Sequence, residues 1–252
     1  MKLTGNTILI TGGSGGIGLA FAKKFLDLGN EVIITGRDQA KLDAAVAAHP
    51  KIVAIVSDAG DPKAVAKLAK EIKDKHGKIN VLFNNAGIMR YLNLASGGDA
   101  DALTSEIDIN LAGPIRLVAA LIDTIKANKG TIINVSSGLA FVPLQAAPVY
   151  CATKAAMHSY TITLRQQLSD HGVEVIELMP PVVKTDLTPS PPEGVKSITT
   201  DQLVDMTMKA LERGKLEIRP GQANGLRFMS RFAPNFIAGQ LAKGSKSLIP
   251  PS

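Results

Sequence analysis

The sequence predicts an α/β fold, a doubly wound parallel β-sheet within a single domain. Short, β-branched, apolar segments alternate with longer helical segments over the first two-thirds of the chain, which is typical of βαβ units. The chain has 252 residues, and an α/β fold can reach about 250 residues as one unit. We therefore expect one domain over residues 1–252, with two smaller domains as the alternative.

Six short segments have the length and composition of β-strands. They are residues 7–11, 31–35, 52–56, 81–83, 131–135 and 173–178. Helical patterns separate the first four of them, over residues 16–28, 38–48 and 61–76. The strand segments are mostly apolar, as strands are when both faces of a parallel sheet are buried. A ligand binds such a sheet beyond the carboxyl ends of its strands, so the residues that follow each strand are the candidates for function.

The composition excludes several classes of protein. With 45% apolar residues the chain is not disordered, and no apolar run approaches the roughly 20 residues that span a bilayer. The single cysteine, Cys151, excludes an internal disulfide, and the four scattered histidines predict no metal site. The net charge of +6 suits an anionic small ligand, whereas few aromatic residues and no basic motif argue against nucleic-acid binding. The amino-terminal residues do not form a signal peptide, so we expect a cytoplasmic protein.

A glycine-rich turn connects the first strand to the first helix, in the sequence Thr-Gly-Gly-Ser-Gly-Gly-Ile-Gly over residues 11–18. Glycines allow a tight turn and a close approach of the backbone to a pyrophosphate, and the helix N-terminus adds unpaired N–H groups. This placement predicts a dinucleotide-binding turn of the Rossmann type, with a flexible glycine loop as the alternative. The predicted cofactor-binding residues are Gly12, Ser14, Gly15, Gly16, Ile17 and Gly18.

The residues after the second and third strands indicate which dinucleotide binds. NAD-binding folds carry an acidic residue at the end of the second strand, but this chain has Gly36 followed by Arg37. A guanidinium suits a 2′-phosphate, so we predict NADP(H) in preference to NAD(H). The alternatives are that Arg37 is solvated or pairs with Asp38, which could instead cap the next helix. Asp58 is either a contact to the adenine or a helix cap.

Further polar motifs follow the later strands. They are Asn84-Asn85-Ala86-Gly87, the lone Asn110, Ser136-Ser137, Tyr150-Cys151-Ala152-Thr153-Lys154 and Pro180-Pro181-Val182-Val183-Lys184-Thr185. With these motifs in this order, the chain resembles the short-chain dehydrogenase/reductase family over roughly residues 7–185. Residues 136–161 look closest to a bacterial subgroup typified by the oxidoreductase of D-alanyl-lipoteichoic-acid operons.

The resemblance implies a set of catalytic residues. Tyr150 would be the general acid/base, and Lys154 would assist it and bind the nicotinamide ribose. Both residues would also belong to the cofactor site. Ser137 would donate a hydrogen bond to the substrate oxygen, and Asn110 would hold a water that connects Lys154 to solvent. A nearby ammonium is expected to lower the pKa of a tyrosine. Taken alone, Ser137 would be a turn cap, Asn110 a helix-kinking amide, and Tyr150 with Lys154 a surface pair one helical turn apart.

The resemblance also extends the expected cofactor site to residues after the fourth and sixth strands. They are Asn85, Ala86, Gly87, Pro180, Val183 and Thr185. Two positions depart from the family pattern. Pro181 stands where the family has glycine, which removes an N–H and fixes φ. Gly15 stands where many NADPH-dependent members have a basic residue, which leaves Arg37 as the main expected partner of the 2′-phosphate.

The expected substrate pocket lies after the fourth, fifth and sixth strands and is mostly apolar. Its expected residues are Met89, Leu139, Phe141, Leu144 and Met179. These side chains favour a hydrophobic or aromatic ketone or aldehyde as substrate, with core packing as the alternative. Residues 186–200 are expected to form a mobile lid over this pocket.

The carboxyl-terminal segment, residues 219–252, combines basic and apolar residues. It could serve as a subunit contact, a pocket cover or a membrane-surface helix, and we do not expect membrane contact. The resemblance implies a homodimer or homotetramer.

The function predicted from the sequence is an NADP(H)-dependent carbonyl reductase or alcohol dehydrogenase. An enoyl reductase would be expected to show Tyr-x6-Lys in place of Tyr-x3-Lys. The alternative from another class is a redox sensor that binds NADPH without turnover.

Overall fold

The computed structural model describes residues 1–188 and 196–250. Its centre is a seven-stranded parallel sheet with the strand order β3-β2-β1-β4-β5-β6-β7. The strands are β1 (Thr7–Ile10), β2 (Glu31–Gly36), β3 (Val53–Val56), β4 (Val81–Asn84), β5 (Thr131–Val135), β6 (Glu174–Leu178) and β7 (Glu217–Ile218). The order reverses between β1 and β4, so the crevice of a doubly wound sheet opens above these two strands. The predicted fold class is confirmed.

Helices cover both faces of this sheet. They are α1 (Gly16–Asp27), α2 (Gln39–Ala48), α3 (Pro62–Lys75), α4 (Ala100–Ile107), α5 (Gly113–Ala127), α6 (Pro148–Leu168), α7 (Thr200–Glu212), α8 (Ala223–Phe232) and α9 (Pro234–Ser245). A π-helical turn, Asp108–Ala112, joins α4 to α5, and a 3₁₀ turn, Gly138–Ala140, follows β5. Within the described residues, no helix is both long and apolar enough to cross a membrane.

Local sequence signals set the helix starts. The Asp38 carboxylate accepts a hydrogen bond from the Lys41 N–H at 3.1 Å and caps α2. Asp61 caps α3 by accepting from the Lys63 N–H at 2.8 Å. Each such cap satisfies a backbone donor that the helix leaves unpaired. Asp38 therefore has the capping role that the sequence left open, and the cap of α3 is Asp61 and not Asp58.

The core lies on both faces of the sheet, because the central strands bury successive side chains on opposite sides. Ile8 and Ile10 of β1 join one apolar cluster, while Leu9 joins the cluster on the other face. In the first cluster the rings of Phe21 and Phe83 lie 4.9 Å apart, centroid to centroid. This packing places the carboxyl ends of β1 and β4 rigidly beneath the crevice.

Two features of the sheet differ from the sequence expectation. β3 is not buried on both faces, since Val53 is 41% and Val56 51% exposed, because it forms one edge of the sheet. β7 was not predicted, since two residues are too short for any hydrophobic period to show. Of the expected lid, residues 189–195 lie outside the described residues.

Candidate active site

The glycine turn after β1 is packed too closely to accept side chains at two positions. A Cβ atom on Gly18 would lie 2.3 Å from the Gly12 carbonyl oxygen. A Cβ atom on Gly12, where φ is +65°, would lie 2.9 Å from the Cα of Ala86. The start of α1 is thereby held against the turn, as close helix–strand packing in a dinucleotide-binding fold requires.

The N-terminus of α1 faces a cavity without a side-chain cap. Gly15 is the residue before the helix, it makes no capping hydrogen bond, and a Cβ atom there would have no atom within 4 Å. Gly15, Gly16 and Ile17 all line the cavity. Unpaired N–H groups at the positive end of a helix dipole suit an anion such as a pyrophosphate.

Asn85 and Thr11 hold this turn against the end of β4. The Thr11 hydroxyl accepts hydrogen bonds from the N–H groups of Asn85 at 3.0 Å and Ala86 at 3.1 Å. The Asn85 amide donates to the carbonyls of Thr11 at 2.9 Å and Gly12 at 3.1 Å. The structure therefore gives Asn85 a scaffolding role as well as a place in the cavity wall. The sequence did not single out Thr11 as its partner.

The cavity has a volume of about 460 Å³ and runs along the carboxyl edge of the sheet. Of the sixteen residues expected to bind cofactor, fifteen line it and Gly18 does not: the fifteen are Gly12, Ser14, Gly15, Gly16, Ile17, Arg37, Asp58, Asn85, Ala86, Gly87, Tyr150, Lys154, Pro180, Val183 and Thr185. The exception, Gly18, is buried against the Gly12 carbonyl.

Two basic side chains lie at one end of the cavity. Arg37 and Lys41 both line it, and within the described residues Arg37 makes no ion pair. Lys41, which belongs to no sequence motif, lies 3.5 Å from the Asp186 carboxylate, and both residues line the cavity. A Cβ atom on Gly36 would lie 2.8 Å from the Ser14 hydroxyl, so an acidic side chain there would displace Ser14. Asp58 accepts a hydrogen bond from the Gly60 N–H at 2.8 Å and lines the same end.

Tyr150, Lys154 and Ser137 meet at the other end of the cavity. Tyr150 and Lys154 lie one turn apart on α6, and both are buried. The Lys154 ammonium lies 5.5 Å from the centroid of the Tyr150 ring and donates to the Val135 carbonyl at 2.9 Å. The Ser137 hydroxyl accepts from the Leu139 N–H at 3.1 Å, so Ser137 also caps the turn after β5.

Burial shifts the pKa values of Tyr150 and Lys154 in opposite directions. It raises the pKa of the Tyr150 hydroxyl above its ordinary value, and hydrogen bonding with Ser137 opposes part of that rise. Burial lowers the pKa of the Lys154 ammonium to about 8. In this structure the pKa of Tyr150 is therefore raised, and the expectation that the ammonium lowers it is wrong here, because desolvation of the buried phenol dominates.

Asn110 lies in the π-helical turn, where the widened backbone directs its amide inward. Its oxygen accepts from the Ile88 N–H at 2.8 Å, and its nitrogen donates to the Ile88 carbonyl at 2.8 Å and to the Thr153 hydroxyl at 3.2 Å. A Cβ atom on Gly87 would lie 3.2 Å from the Asn110 oxygen and 3.6 Å from the Lys154 nitrogen. The glycine therefore allows Asn110 and Lys154 to approach the same point, and the water expected there stays a prediction.

The residues after β6 close the cavity beside Ser137. Pro180, Pro181, Val183 and Thr185 line it, and the Pro180 carbonyl accepts a hydrogen bond from the Gly138 N–H at 3.1 Å. Pro181 therefore stands in the cavity wall without disturbing this contact, because the contact uses the neighbouring carbonyl.

The five expected substrate residues lie outside this cavity. Met89 and Leu139 pack, partly buried, against a cluster that contains Leu144 and Tyr150. Met179 is fully buried. The Phe141 ring lies 4.9 Å from the Arg227 guanidinium. The apolar surroundings of Tyr150 are thus present, while Leu144 and Met179 pack in the interior of the protein.

The carboxyl-terminal helices lie over the same region. Leu241 of α9 packs against the cluster around Tyr150. Leu226 of α8 would lie 3.2 Å from a Cβ atom on Gly138, and the Asn93 amide donates to the Pro250 carbonyl at 3.0 Å. Of the three roles considered from the sequence, these contacts favour a cover, which here lies over the apolar cluster that contains Tyr150.

The fold and site define a class of protein, an α/β oxidoreductase with a tyrosine–lysine pair at the end of a dinucleotide-type cavity. The family model for short chain dehydrogenases matches residues 6–195, and the chain belongs to this family.

Individual proteins that are similar to the chain agree with this assignment. An uncharacterized oxidoreductase of Bacillus subtilis, DltE, is 42% identical over 237 residues, which cover 92% of this chain and 94% of that protein. A short chain dehydrogenase from Burkholderia cenocepacia in complex with NADP has a TM-score of 0.84 at 27% identity and covers 96% of this chain and 99% of that one. A 3-ketoacyl-(acyl-carrier-protein) reductase from Brucella melitensis, complexed with NADH, has a TM-score of 0.79 at 25% identity, with 88% and 100% covered. The identity with DltE confirms the bacterial subgroup that residues 136–161 were expected to resemble, the oxidoreductases of D-alanyl-lipoteichoic-acid operons.

Proposed function

We propose that the protein is an NADPH-dependent carbonyl reductase that converts a hydrophobic or aromatic ketone or aldehyde to the alcohol. One observation carries this proposal. A single cavity joins an uncapped helix N-terminus and two basic side chains at one end to Tyr150, Lys154 and Ser137 at the other. Such a cavity would bring a nicotinamide to the carbon, and a proton donor to the oxygen, of one carbonyl group.

The residues present fit a dinucleotide. The glycine turn and the N-terminus of α1 would hold the pyrophosphate, Lys154 would bind the nicotinamide ribose, and Pro180, Val183 and Thr185 would border the nicotinamide. Bound in this way, the nicotinamide would supply the hydride that the reduction of a carbonyl needs.

Tyr150 would supply the proton. As the carbonyl carbon gains a hydride, its oxygen gains negative charge and takes the phenol proton. A phenol with its ordinary pKa of about 10 is already protonated at neutral pH, which is the form that a proton donor needs. Ser137 would donate a hydrogen bond to the same oxygen, and Lys154 and Asn110 would stabilise the phenolate and connect it with solvent.

The preference for NADPH rests on charge. Arg37 and Lys41 offer two cations at one end of the cavity, and Gly36 offers no carboxylate to a ribose hydroxyl. A 2′-phosphate would be stabilised by both cations. The similar proteins include one complex with NADP and one with NADH, so the preference is a property to be measured on this chain.

The apolar cluster beside Tyr150 supports the substrate class. Met89, Leu139 and Leu241 pack against the cluster that contains Tyr150, and burial of apolar surface would stabilise an apolar substrate. The expected cytoplasmic location and the homodimer or homotetramer remain part of this proposal.

The test is the loss of reduced-nicotinamide absorbance with a panel of aldehydes and ketones, with NADPH and NADH in parallel. We expect turnover with NADPH and better rates for aryl ketones than for small charged keto acids. Tyr150→Phe should abolish turnover and leave the NADPH dissociation constant nearly unchanged. Tight NADPH binding without turnover on any carbonyl would refute the proposal in favour of the redox sensor.

A further inference from the structure

A buried polar network lies directly beside Ser137. Glu177 of β6 is fully buried, and its carboxylate accepts a hydrogen bond from the Ser136 hydroxyl at 2.5 Å. The same carboxylate lies 2.8 Å from Nδ1 of His158. The His158 side chain is only 17% exposed, so the whole network is largely shielded from water.

His158 belongs to the helix face that carries the tyrosine and the lysine. It follows Lys154 by four residues and Tyr150 by eight on α6, and side chains at this spacing lie along one face. The network therefore links the helix of the proposed proton donor to the strand-end segment that carries Ser137.

The segment from Ser136 to Phe141 is held at both of its ends. At one end the Ser136 hydroxyl is bonded to Glu177. At the other end the Phe141 ring packs edge-on against the His158 ring, with centroids 5.0 Å apart. Because Glu177 and His158 are bonded to each other, one buried pair restrains both ends of the segment, with Ser137 between them.

A buried carboxylate is costly unless it is paired and hydrogen-bonded, and apolar residues of similar volume often stabilise a fold as well or better. Stability alone therefore does not explain an acid at position 177. Two directional hydrogen bonds can, however, fix the place of a neighbouring group, and a misplacement of about 1 Å can lower a rate about a hundredfold.

We propose that Glu177 and His158 form a positioning pair that fixes the Ser137 hydroxyl relative to Tyr150. This inference rests on the proposed function, since it assigns the pair a part in the same reaction. Neither residue lines the cavity. They act through Ser136 and Phe141.

The roles of the hydrogen bond and of the ring can be separated by substitution. In His158→Asn an amide nitrogen can occupy the place of Nδ1 and still donate to Glu177. His158→Leu removes that donor. The matched control is His171→Leu, since His171 is exposed in the 3₁₀ turn Ser169–His171 that follows α6. Ser136→Ala provides a second test, because it cuts the link to the segment and leaves the Glu177–His158 pair in place.

The experiment combines kinetics with hydrogen exchange. We expect His158→Leu to lower kcat about a hundredfold while the NADPH dissociation constant and the control variant stay near wild type. His158→Asn should recover most of the lost rate. Amide exchange over residues 136–141 should rise in His158→Leu and in Ser136→Ala, and less in His158→Asn. If His158→Leu does not fold, Ser136→Ala and His158→Asn carry the same comparison.

Two results would overturn the positioning role. One is a kcat of folded His158→Leu or Ser136→Ala within about twofold of wild type. The other is an equal loss of rate in the Asn and Leu variants with unchanged exchange over residues 136–141. If the wild type reduces no carbonyl at all, the proposed function fails, and the exchange measurement still decides by itself whether the pair restrains the segment.

Discussion

Lys154 provides the sharpest test of the physical reasoning about this site. Its ammonium is buried, and its one protein acceptor in the described residues is the Val135 carbonyl at 2.9 Å. Lys154→Met keeps a long, unbranched side chain and removes the charge. We expect this variant to lose activity and to be more stable than the wild type at pH 7, because it removes a desolvated charge from the interior.

The size of this gain in stability follows from the lowered pKa of Lys154. Burial lowers the pKa of Lys154 from 10.5 to about 8, which corresponds to about 3 kcal/mol of cost at neutral pH. Loss of the hydrogen bond to Val135 would offset about 1 kcal/mol of the gain. The free energy of unfolding should therefore rise by about 2 kcal/mol in Lys154→Met at pH 7.

The same shift predicts a dependence on pH. Between pH 8 and 10.5 the unfolded chain binds the proton more strongly than the folded protein does, so the stability of the wild type rises with pH in this window. Lys154→Met lacks this rise. Its advantage over the wild type should shrink to nearly zero by about pH 9.5.

Urea unfolding of the cofactor-free protein at pH 7 and pH 9.5 measures both quantities. The control is Lys67→Met, because Lys67 is exposed on α3 and should change stability by less than about 0.5 kcal/mol at either pH. Two results would refute a desolvation cost at Lys154. One is a gain in the free energy of unfolding of Lys154→Met that is equal at the two pH values, and the other is a lower free energy of unfolding than that of the wild type at pH 7.

Three further predictions concern the cofactor site and the core. Gly18→Ala should destabilise the protein by about 1–3 kcal/mol and weaken NADPH binding, since its Cβ would lie 2.3 Å from a carbonyl oxygen. An unchanged NADPH dissociation constant in calorimetric titration would contradict this. Arg37→Asp should raise the dissociation constant of NADPH at least about tenfold and change that of NADH much less, and equal effects on the two would rule out a contact with the 2′-phosphate. Phe25→Ala should lower the free energy of unfolding by about 3–5 kcal/mol, because Phe25 is fully buried in the core, and urea titration showing less than about 1 kcal/mol would count against that packing.

The order of elements could be predicted from the sequence because buried parallel strands carry their signal locally. The apolar, β-branched segments around Ile8 and Ile133 are surrounded by helical patterns, and their ends differ from the observed strands by at most a residue or two. The edge position of β3 could not be predicted in this way, since Val53 is as apolar as a buried strand residue. Its exposure depends on which strands lie beside it.

Among the functional motifs, too, the features that could be predicted from the sequence are the ones formed by residues close together in the chain. Tyr150 and Lys154 are four residues apart in one helix, so their proximity follows from helix geometry. The glycine turn is likewise local. The sequence by itself therefore determined the fold class, the family, and which residues to examine.

Only the tertiary structure decided which distant groups meet and what water can reach. Lys41 lines the cavity together with Arg37, Glu177 meets His158 and Ser136, and burial raises the pKa of Tyr150. None of these contacts could be predicted from residues adjacent in the sequence, because contact across the sheet depends on strand order and register. Desolvation likewise depends on the packing of all the surrounding elements, so the direction of a pKa shift is a property of the folded chain and not of a motif.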